Sequence, residues 1–189
     1  VFAYARSPEK AEAAVNRVYE AILAEEKSFK VDLMTPDEAV EAALDRPKGH
    51  TTVIADVQDN AGGGGTADTI WILDALHRHN APSAIIGILY DPDVAEAAHE
   101  AGVGATIEVS LGGKLVPGHT PFKGEFVVES LADGDFTLHG PMLRDATVSI
   151  GKAASLRIGG VHVLVGSRRT QCLDQGFFQH VGLEPTEYD

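Results

Sequence analysis

The chain has 189 residues, an apolar fraction of 44% and a formal net charge of −13 at pH 7. This size and apolar content suffice for one sizeable domain, or one domain with a small appendage, without help from disulfides. The acidity argues against nucleic acid and anionic membranes as partners, because both would repel such a surface. Cys172 is the single cysteine. A lone cysteine and the lack of a signal peptide or membrane-spanning apolar run predict a cytoplasmic protein.

The first 49 residues are predicted to be a leading strand and linker helices. The start "VFAYA" is strand-like and lacks an initiator Met, so we interpret the chain as a piece of a longer protein. Ser7 and Pro8 suit the start of a first helix with a long apolar stripe. Thr35 with Glu38 forms a capping box, which predicts a short second helix.

The next part of the chain alternates strands and helices. A strand over residues 51–57 is followed by four consecutive glycines at 62–65 and a helix over 67–79. A nearly continuous apolar run at 83–90 predicts a buried strand, and a helix follows between its cap Asp91 and Gly102. This order predicts a parallel sheet covered by helices.

The pattern changes after Gly104 to short alternating strands separated by glycine-bearing turns. "RIGGVHVLV" predicts a tight hairpin at Gly159–Gly160, because glycine supplies the positive φ angles of such a turn. The predicted strands are "ATIEVSL", "GEFVVESL", "DFTLHG", "ATVSIG", "ASLRIGG" and "VHVLVGS". The predicted fold class is therefore α/β, with a parallel β-α-β-α first half whose helices lie on the sheet, followed by an antiparallel β-rich second half.

The glycine loop admits three interpretations. Gly62, Gly64 and Ala67 match the dinucleotide pattern G-x-G-x-x-A, but "DVQDNA" separates them from the strand, and Asp56 and Asp59 would repel phosphates. A P-loop would need a lysine that is absent here. The loop could instead be a turn for close strand-to-helix packing, or a site where backbone N–H groups hold a carboxylate or an oxyanion.

Metal-binding patterns are weak in this sequence. Asp56 and Asp59 are oxygen donors at the end of a predicted strand, but two carboxylates without a histidine would hold zinc poorly. His77 and His79 point in different directions on a helix, and three further histidines lie at wide spacing in the β-rich half, namely His119, His139 and His162.

"GSRRTQ" is the other candidate site segment. Arg168 and Arg169 could present guanidinium groups to a carboxylate, or could form structural salt bridges with the many acidic residues. Cys172, three residues further on, is interpreted as a packed small residue rather than a nucleophile.

Four segments together resemble one family, and they occur in the family's order between about residues 50 and 185. They are "VIADVQDNAGGGGTAD", "GILYD", "AGVGATIEVSLGG" and "IGGVHVLVGSRRTQ". In these segments the chain is similar to the C-terminal domain of the microcystinase C family, a group of zinc metallopeptidases. The glycine loop and the S-R-R-x-Q segment are specific in combination, whereas either alone would not be.

The resemblance implies that residues 50–189 are the C-terminal, substrate-facing domain of a metal-dependent hydrolase of peptide or related amide bonds. It implies that zinc is held mainly by an N-terminal domain missing from this chain, so no catalytic residue, metal or other cofactor is expected here, and the chain alone is expected to be inactive. Its partners would be that domain, a peptide or amide substrate and, as a further option, a second copy. The positions that the resemblance places at the cleft are Asp59, Asn60, Gly62, Gly63, Gly64, Gly65, Arg168 and Arg169. The alternatives are a nucleotide- or phosphate-binding domain that uses the glycine loop and a non-catalytic assembly module.

Overall fold

A computed structural model describes residues 1–47 and 49–188 of the chain. It divides into two compact units, Val1–Met34 and Thr35–Asp189. The predicted domain boundary between residues 49 and 50 was placed by the family resemblance, and it stays a prediction. Within the described residues, no helix is both long and apolar enough to cross a membrane.

The first unit contains helix α1, Pro8–Ala24, and a short 3₁₀ helix, Glu26–Phe29. Pro8 occupies the first turn of α1 as predicted. The apolar stripe of α1 is not buried, since Val18 and Ile22 keep 47% and 43% of their surface exposed. Residues 1–5, where a leading strand was predicted, form no regular element among the described residues, and the strand stays a prediction.

Two helices of the second unit begin where their caps predict. Helix α2, Pro36–Leu44, has the predicted capping box, in which the Thr35 hydroxyl accepts from the Glu38 amide and Glu38 accepts from the Thr35 amide. Asp91 caps helix α4, Pro92–Ala101, by accepting from the Val94 N–H at 3.2 Å. The remaining α-helices are α3, Trp71–Arg78, and α5, Gly176–Gln179, and two short 3₁₀ helices span Ala61–Gly63 and Pro185–Glu187.

A five-stranded mixed sheet forms the centre of this unit, in the order β1-β7-β6-β3-β2. Its strands are β1 (Ala84–Tyr90), β2 (Thr106–Leu111), β3 (Phe122–Ala132), β6 (Ala153–Ile158) and β7 (Val161–Gly166). A separate two-stranded sheet joins β4 (Asp135–Thr137) to β5 (Thr147–Ser149). The predicted α/β class with an antiparallel second half is confirmed.

The sheet contains a parallel pair of strands, as predicted, but the partner of β1 in this pair is not the predicted one. β1 pairs in parallel with β7, and the other pairs of the large sheet are antiparallel. The predicted strand over residues 51–57 is wrong: the segment is irregular and makes no ladder. The parallel neighbour of β1 is therefore β7, which comes much later in the chain and whose residues are mostly buried.

Side chains of the sheet alternate between two apolar clusters on its opposite faces. On β7, Val163 belongs to the cluster beneath α2, α3 and α4, whereas its neighbour Leu164 belongs to the cluster beneath α5 and the β4–β5 hairpin. Phe126 and Phe177 are fully buried in the first and the second cluster, respectively. Because both faces of the sheet are covered, a free edge is where this sheet can expose backbone.

Candidate functional site

A cleft of about 620 Å³ lies beside β1. One side is the strand itself over residues 84–89, and the other is the chain that approaches the glycine loop, residues 50–56. The polar side chains of Asp56, Asp59, Asn60, Thr170 and Gln171 lie in its lining. The volume is in the range of ligand sites in proteins.

The glycine loop is folded around Asn60. The Asn60 side-chain oxygen accepts from the amides of Gly62 and Gly63 at 2.8 and 3.2 Å. The amide of Gly65 donates to the Asn60 carbonyl at 2.8 Å, and that of Gly64 donates to the Ala61 carbonyl at 3.2 Å. All four glycine amides therefore have partners inside the loop, so the arrangement argues against a phosphate cradle or an oxyanion hole made from these groups.

Asp59 connects the loop to the start of α3. Its carboxylate accepts from the amides of Ala67 and Thr69 at 2.7 and 2.8 Å, and from the hydroxyls of Thr66 and Thr69 at 3.2 and 2.9 Å. Burial opposes ionisation of Asp59, but these hydrogen bonds outweigh it and hold the pKa of the carboxyl below its usual range. The Asp59 carboxylate is thus engaged in holding residues 66–69 in place. This also explains why α3 begins at Trp71 rather than at residue 67, where Ala67 has a φ of +56°.

Three glycines in the loop are restricted for different reasons, by the movable end of a side chain at Gly62 and by the backbone itself at Gly64 and Gly65. A Cβ on Gly62 would lie 2.0 Å from the side-chain oxygen of Gln171. Gly64 has a φ of +98°, which L side chains rarely adopt. A Cβ on Gly65 would lie 2.8 Å from the backbone nitrogen of Asn60. Gly63 has neither restriction.

Gln171 brings the second candidate segment to the glycine loop. Its side chain packs directly against Gly62, and together with Thr170 it lines the cleft. The two motifs that the sequence keeps more than 100 residues apart therefore meet at one place.

Arg168 and Arg169 are exposed and precede this contact directly. Neither forms an ion pair with a carboxylate among the described residues, so the structural salt-bridge interpretation finds no support. The Arg169 guanidinium lies over the Tyr90 ring, with Cζ 5.1 Å from the ring centroid. Of the predicted site residues, Asp59 and Asn60 line the cleft, whereas the four glycines and both arginines lie outside its lining.

The helix cap Asp91 is buried and has further partners that sequence reasoning missed. The Asp91 carboxylate accepts from the Gly112 amide at 2.8 Å and from the Lys114 ammonium at 2.7 Å. Asp68 accepts from the Lys114 and Leu115 amides through one oxygen. A Cβ on Gly112 would lie 2.5 Å from the Asp68 carbonyl oxygen. Asp68 and Gly112 lie in the segments "TAD" and "LGG", which both belong to the family resemblance. Nothing in either segment indicates that the two residues contact each other.

The described residues do not fit a zinc site. No group of three or more His, Cys, Asp or Glu side chains in residues 1–47 and 49–188 is arranged to hold a metal ion. The two weak candidates are engaged elsewhere, Asp59 as described above and Asp56 with the amides of Gln58 and Asp59 at 3.0 and 3.1 Å. His119 packs edge-on against Trp71, and His162 lies 3.0 Å from Glu129.

The Cys172 thiol has the properties of a packed side chain. Burial raises the pKa of this thiol to about 12, so that only a minute fraction is thiolate at neutral pH. This agrees with its interpretation as a structural residue at the cleft rather than a nucleophile.

The family model for the MlrC C-terminus matches residues 54–189. The chain belongs to this family. The resemblance predicted from the four sequence segments is thereby confirmed, and the match contains both the glycine loop and the arginine pair.

Two relatives of this MlrC C-terminal chain extend the comparison. Microcystinase C from Sphingomonas sp. is 27% identical over 161 residues, an alignment that covers 85% of this chain and 29% of the relative. A crystal structure at 2.13 Å resolution, of a Mesorhizobium sp. BNC1 protein provisionally named a metallopeptidase, is 25% identical with a TM-score of 0.83. That alignment covers 94% of this chain and 36% of the other. The chain therefore spans about a third of the length of these relatives.

Proposed function

We propose that this chain is the substrate-facing domain of a metal-dependent peptidase or amidohydrolase related to microcystinase C. Its membership of the MlrC C-terminal family supports the peptidase assignment. In this proposal the chain binds and orients a peptide or amide substrate. Its partner is the part of such an enzyme that holds the metal, and the chain alone is inactive.

The main observation behind the proposal is the pair of arginines next to the cleft, Arg168 and Arg169, which have no carboxylate partner among the described residues. On a chain of net charge −13, two adjacent exposed guanidiniums without carboxylate partners among the described residues are the expected docking point for an anionic group. Stacking on Tyr90 restricts the Arg169 side chain, so less side-chain entropy is lost when it binds. The ligand group that fits is the carboxylate of a peptide substrate.

The metal that the family implies would supply a hydrolytic water. The described residues of this chain do not fit a metal site, so no part of the hydrolysis is assigned to them. Both relatives are about three times as long as this chain, which leaves room for a metal centre in their other parts. The roles that remain for this chain are to bind the substrate carboxylate and to keep the loop rigid through Asp59 and Asn60.

The test compares one peptide with a free C-terminal carboxylate and the same peptide as its amide. We expect the carboxylate form to bind the chain about fivefold more tightly, because an exposed charge-assisted pair contributes about 1 kcal/mol. Arg168→Gln and Arg169→Gln should each reduce this preference. Calorimetric titration of both peptides measures it.

Arg144→Gln is the matched control, since Arg144 is also exposed but lies in the β4–β5 connection. It removes the same charge and should leave the preference unchanged. Equal binding of the two peptides, or an equal loss with Arg144→Gln, would contradict a specific role for the arginine pair.

A further inference from the structure

The outer edge of β1 has unpaired backbone. β1 is the end strand of the five-stranded sheet, with β7 on one side only. The Ala84 amide donates to the Gly160 carbonyl on the β7 side at 3.1 Å. Because successive residues of a strand direct their backbone groups to opposite sides, the amides of Ile85 and Gly87 point away from β7.

These amides point into the cleft. Six consecutive residues of β1, 84–89, line it, which is expected when a cleft follows the edge of a strand rather than one of its faces. The facing segment, residues 51–57, is irregular and forms no backbone hydrogen bond with β1. An unpaired strand edge that lines a cleft is a template for another strand.

Apolar side chains lie on both sides of this edge. Ile72 and Leu76 of α3 line the cleft on one face of the sheet, while Phe178 and Tyr188 line it on the other. The side chains of an added strand alternate between the two faces, so each side chain of a bound strand would meet one of these apolar surfaces.

The far end of the same edge already carries a backbone partner, because the register of the β1–β7 pair shifts between Gly87 and Leu89 and the Tyr90 amide, beyond that shift, is directed away from β7. The Tyr90 amide donates to the Ala67 carbonyl, in the segment that Asp59 organises, at 2.6 Å. The edge therefore pairs with backbone at its carboxyl end, beyond the register shift, and is open between Ala84 and Gly87. Tyr90 is also the residue beneath Arg169, so the open part of the edge runs towards the arginine pair.

We infer that the cleft binds an extended peptide, which adds as a strand to the free edge of β1 and pairs with the backbone of Ile85 and Gly87. The inference rests on the proposed function for the class of ligand. It adds that recognition is through backbone hydrogen bonds, with alternating apolar side chains directed at the α3 surface and at the Phe178–Tyr188 surface.

The test uses a soluble heptapeptide of alternating threonine and valine, with lysines at its ends and both termini blocked. The matched controls are two forms of the same peptide in which every second amide is N-methylated. One form carries the methyl groups on the odd residues and the other on the even residues, so that each form has one edge of the strand blocked. Amide hydrogen exchange of this chain is followed by NMR at saturating peptide. We expect exchange at Ile85 and Gly87 to slow about tenfold with the unmethylated peptide, while Ile86, which is directed at β7, is unchanged.

One methylated form should bind as the parent peptide does, and the other should fail to protect the two amides. Unchanged exchange with all peptides would overturn the inference, as would equal protection by both methylated forms. Protection of Ile85 and Gly87 without peptide would also overturn it, because residues 51–57 would then occupy the edge. Blocked termini remove the carboxylate, so failure here is distinct from failure of the arginine proposal.

Discussion

At the scale of single residues, Asp59 illustrates how an acidic side chain can be part of a site without being a ligand in it. The sequence offered it as a cleft residue and a weak metal candidate. In the structure both of its oxygens accept hydrogen bonds from residues 66–69, which fixes the chain between the glycine loop and α3. Its position was predictable from the motif, whereas its partners depend on a local backbone path that a sequence pattern does not specify.

We predict that Asp59→Asn lowers the free energy of unfolding at pH 7 by about 1–3 kcal/mol, because the amide nitrogen cannot accept the hydrogen bonds that one carboxylate oxygen now accepts. The pKa of Asp59 is lower in the folded state than in the unfolded state. Its ionisation therefore stabilises the fold fully above the unfolded pKa of about 3.9, and this contribution is lost as the pH falls through the folded value.

Urea unfolding of both proteins between pH 7 and pH 3 measures this effect. The difference between wild type and variant should be constant down to about pH 4.5 and should shrink below that. Asp145→Asn is the control, since Asp145 is exposed and has a φ of +65° that asparagine tolerates. A difference that grows on acidification would refute the assignment.

At the scale of elements, the glycine loop is a rigid turn whose amides are satisfied internally. The run of four glycines predicted an unusual backbone, but a run cannot indicate which position is required. The structure separates them: a side chain fits at Gly63, whereas Gly65 lies against the backbone of Asn60. The dinucleotide interpretation loses its basis, since the amides that would hold phosphate already have partners.

We predict that Gly65→Ala destabilises the chain by about 1–3 kcal/mol, because the new methyl group overlaps with backbone that cannot move aside. Gly63→Ala should change stability by less than about 1 kcal/mol, and could raise it by restricting the unfolded chain. Both values come from urea denaturation at pH 7. Equal effects of the two substitutions would mean that the loop does not have this conformation.

The elements that the sequence predicted well are those specified by local chemistry. The capping box at Thr35 and the cap at Asp91 define the starts of α2 and α4 without knowledge of the fold. The segment at 51–57 has strand-forming residues but no ladder, since strand formation depends on a partner distant in sequence. The Gly159–Gly160 hairpin is confirmed. Of its two glycines only Gly159 has a positive φ, while a Cβ on Gly160 would lie 2.5 Å from the Ala81 carbonyl oxygen.

At the scale of the whole molecule, the order of motifs along the chain identified the family, and the fold explains why they occur together. Gln171 packs on Gly62, and Tyr90 contacts both Ala67 and Arg169. These contacts join the ends of β1 and β7 to the glycine loop. The parallel pairing of β1 with β7 could not be predicted, because it joins segments more than 70 residues apart.

The central claim is that this chain binds the substrate while another part of the enzyme holds the metal. Zinc titration of the metal-free 189-residue chain tests this claim most directly. The structure offers no cluster of three ligating side chains in the described residues, so we predict no tight one-to-one binding by calorimetry. The chain would then be the domain that positions the substrate, with the metal held by another part of the enzyme. Tight one-to-one binding, abolished by Asp56→Asn or Asp59→Asn, would place the metal site in this chain and contradict the account.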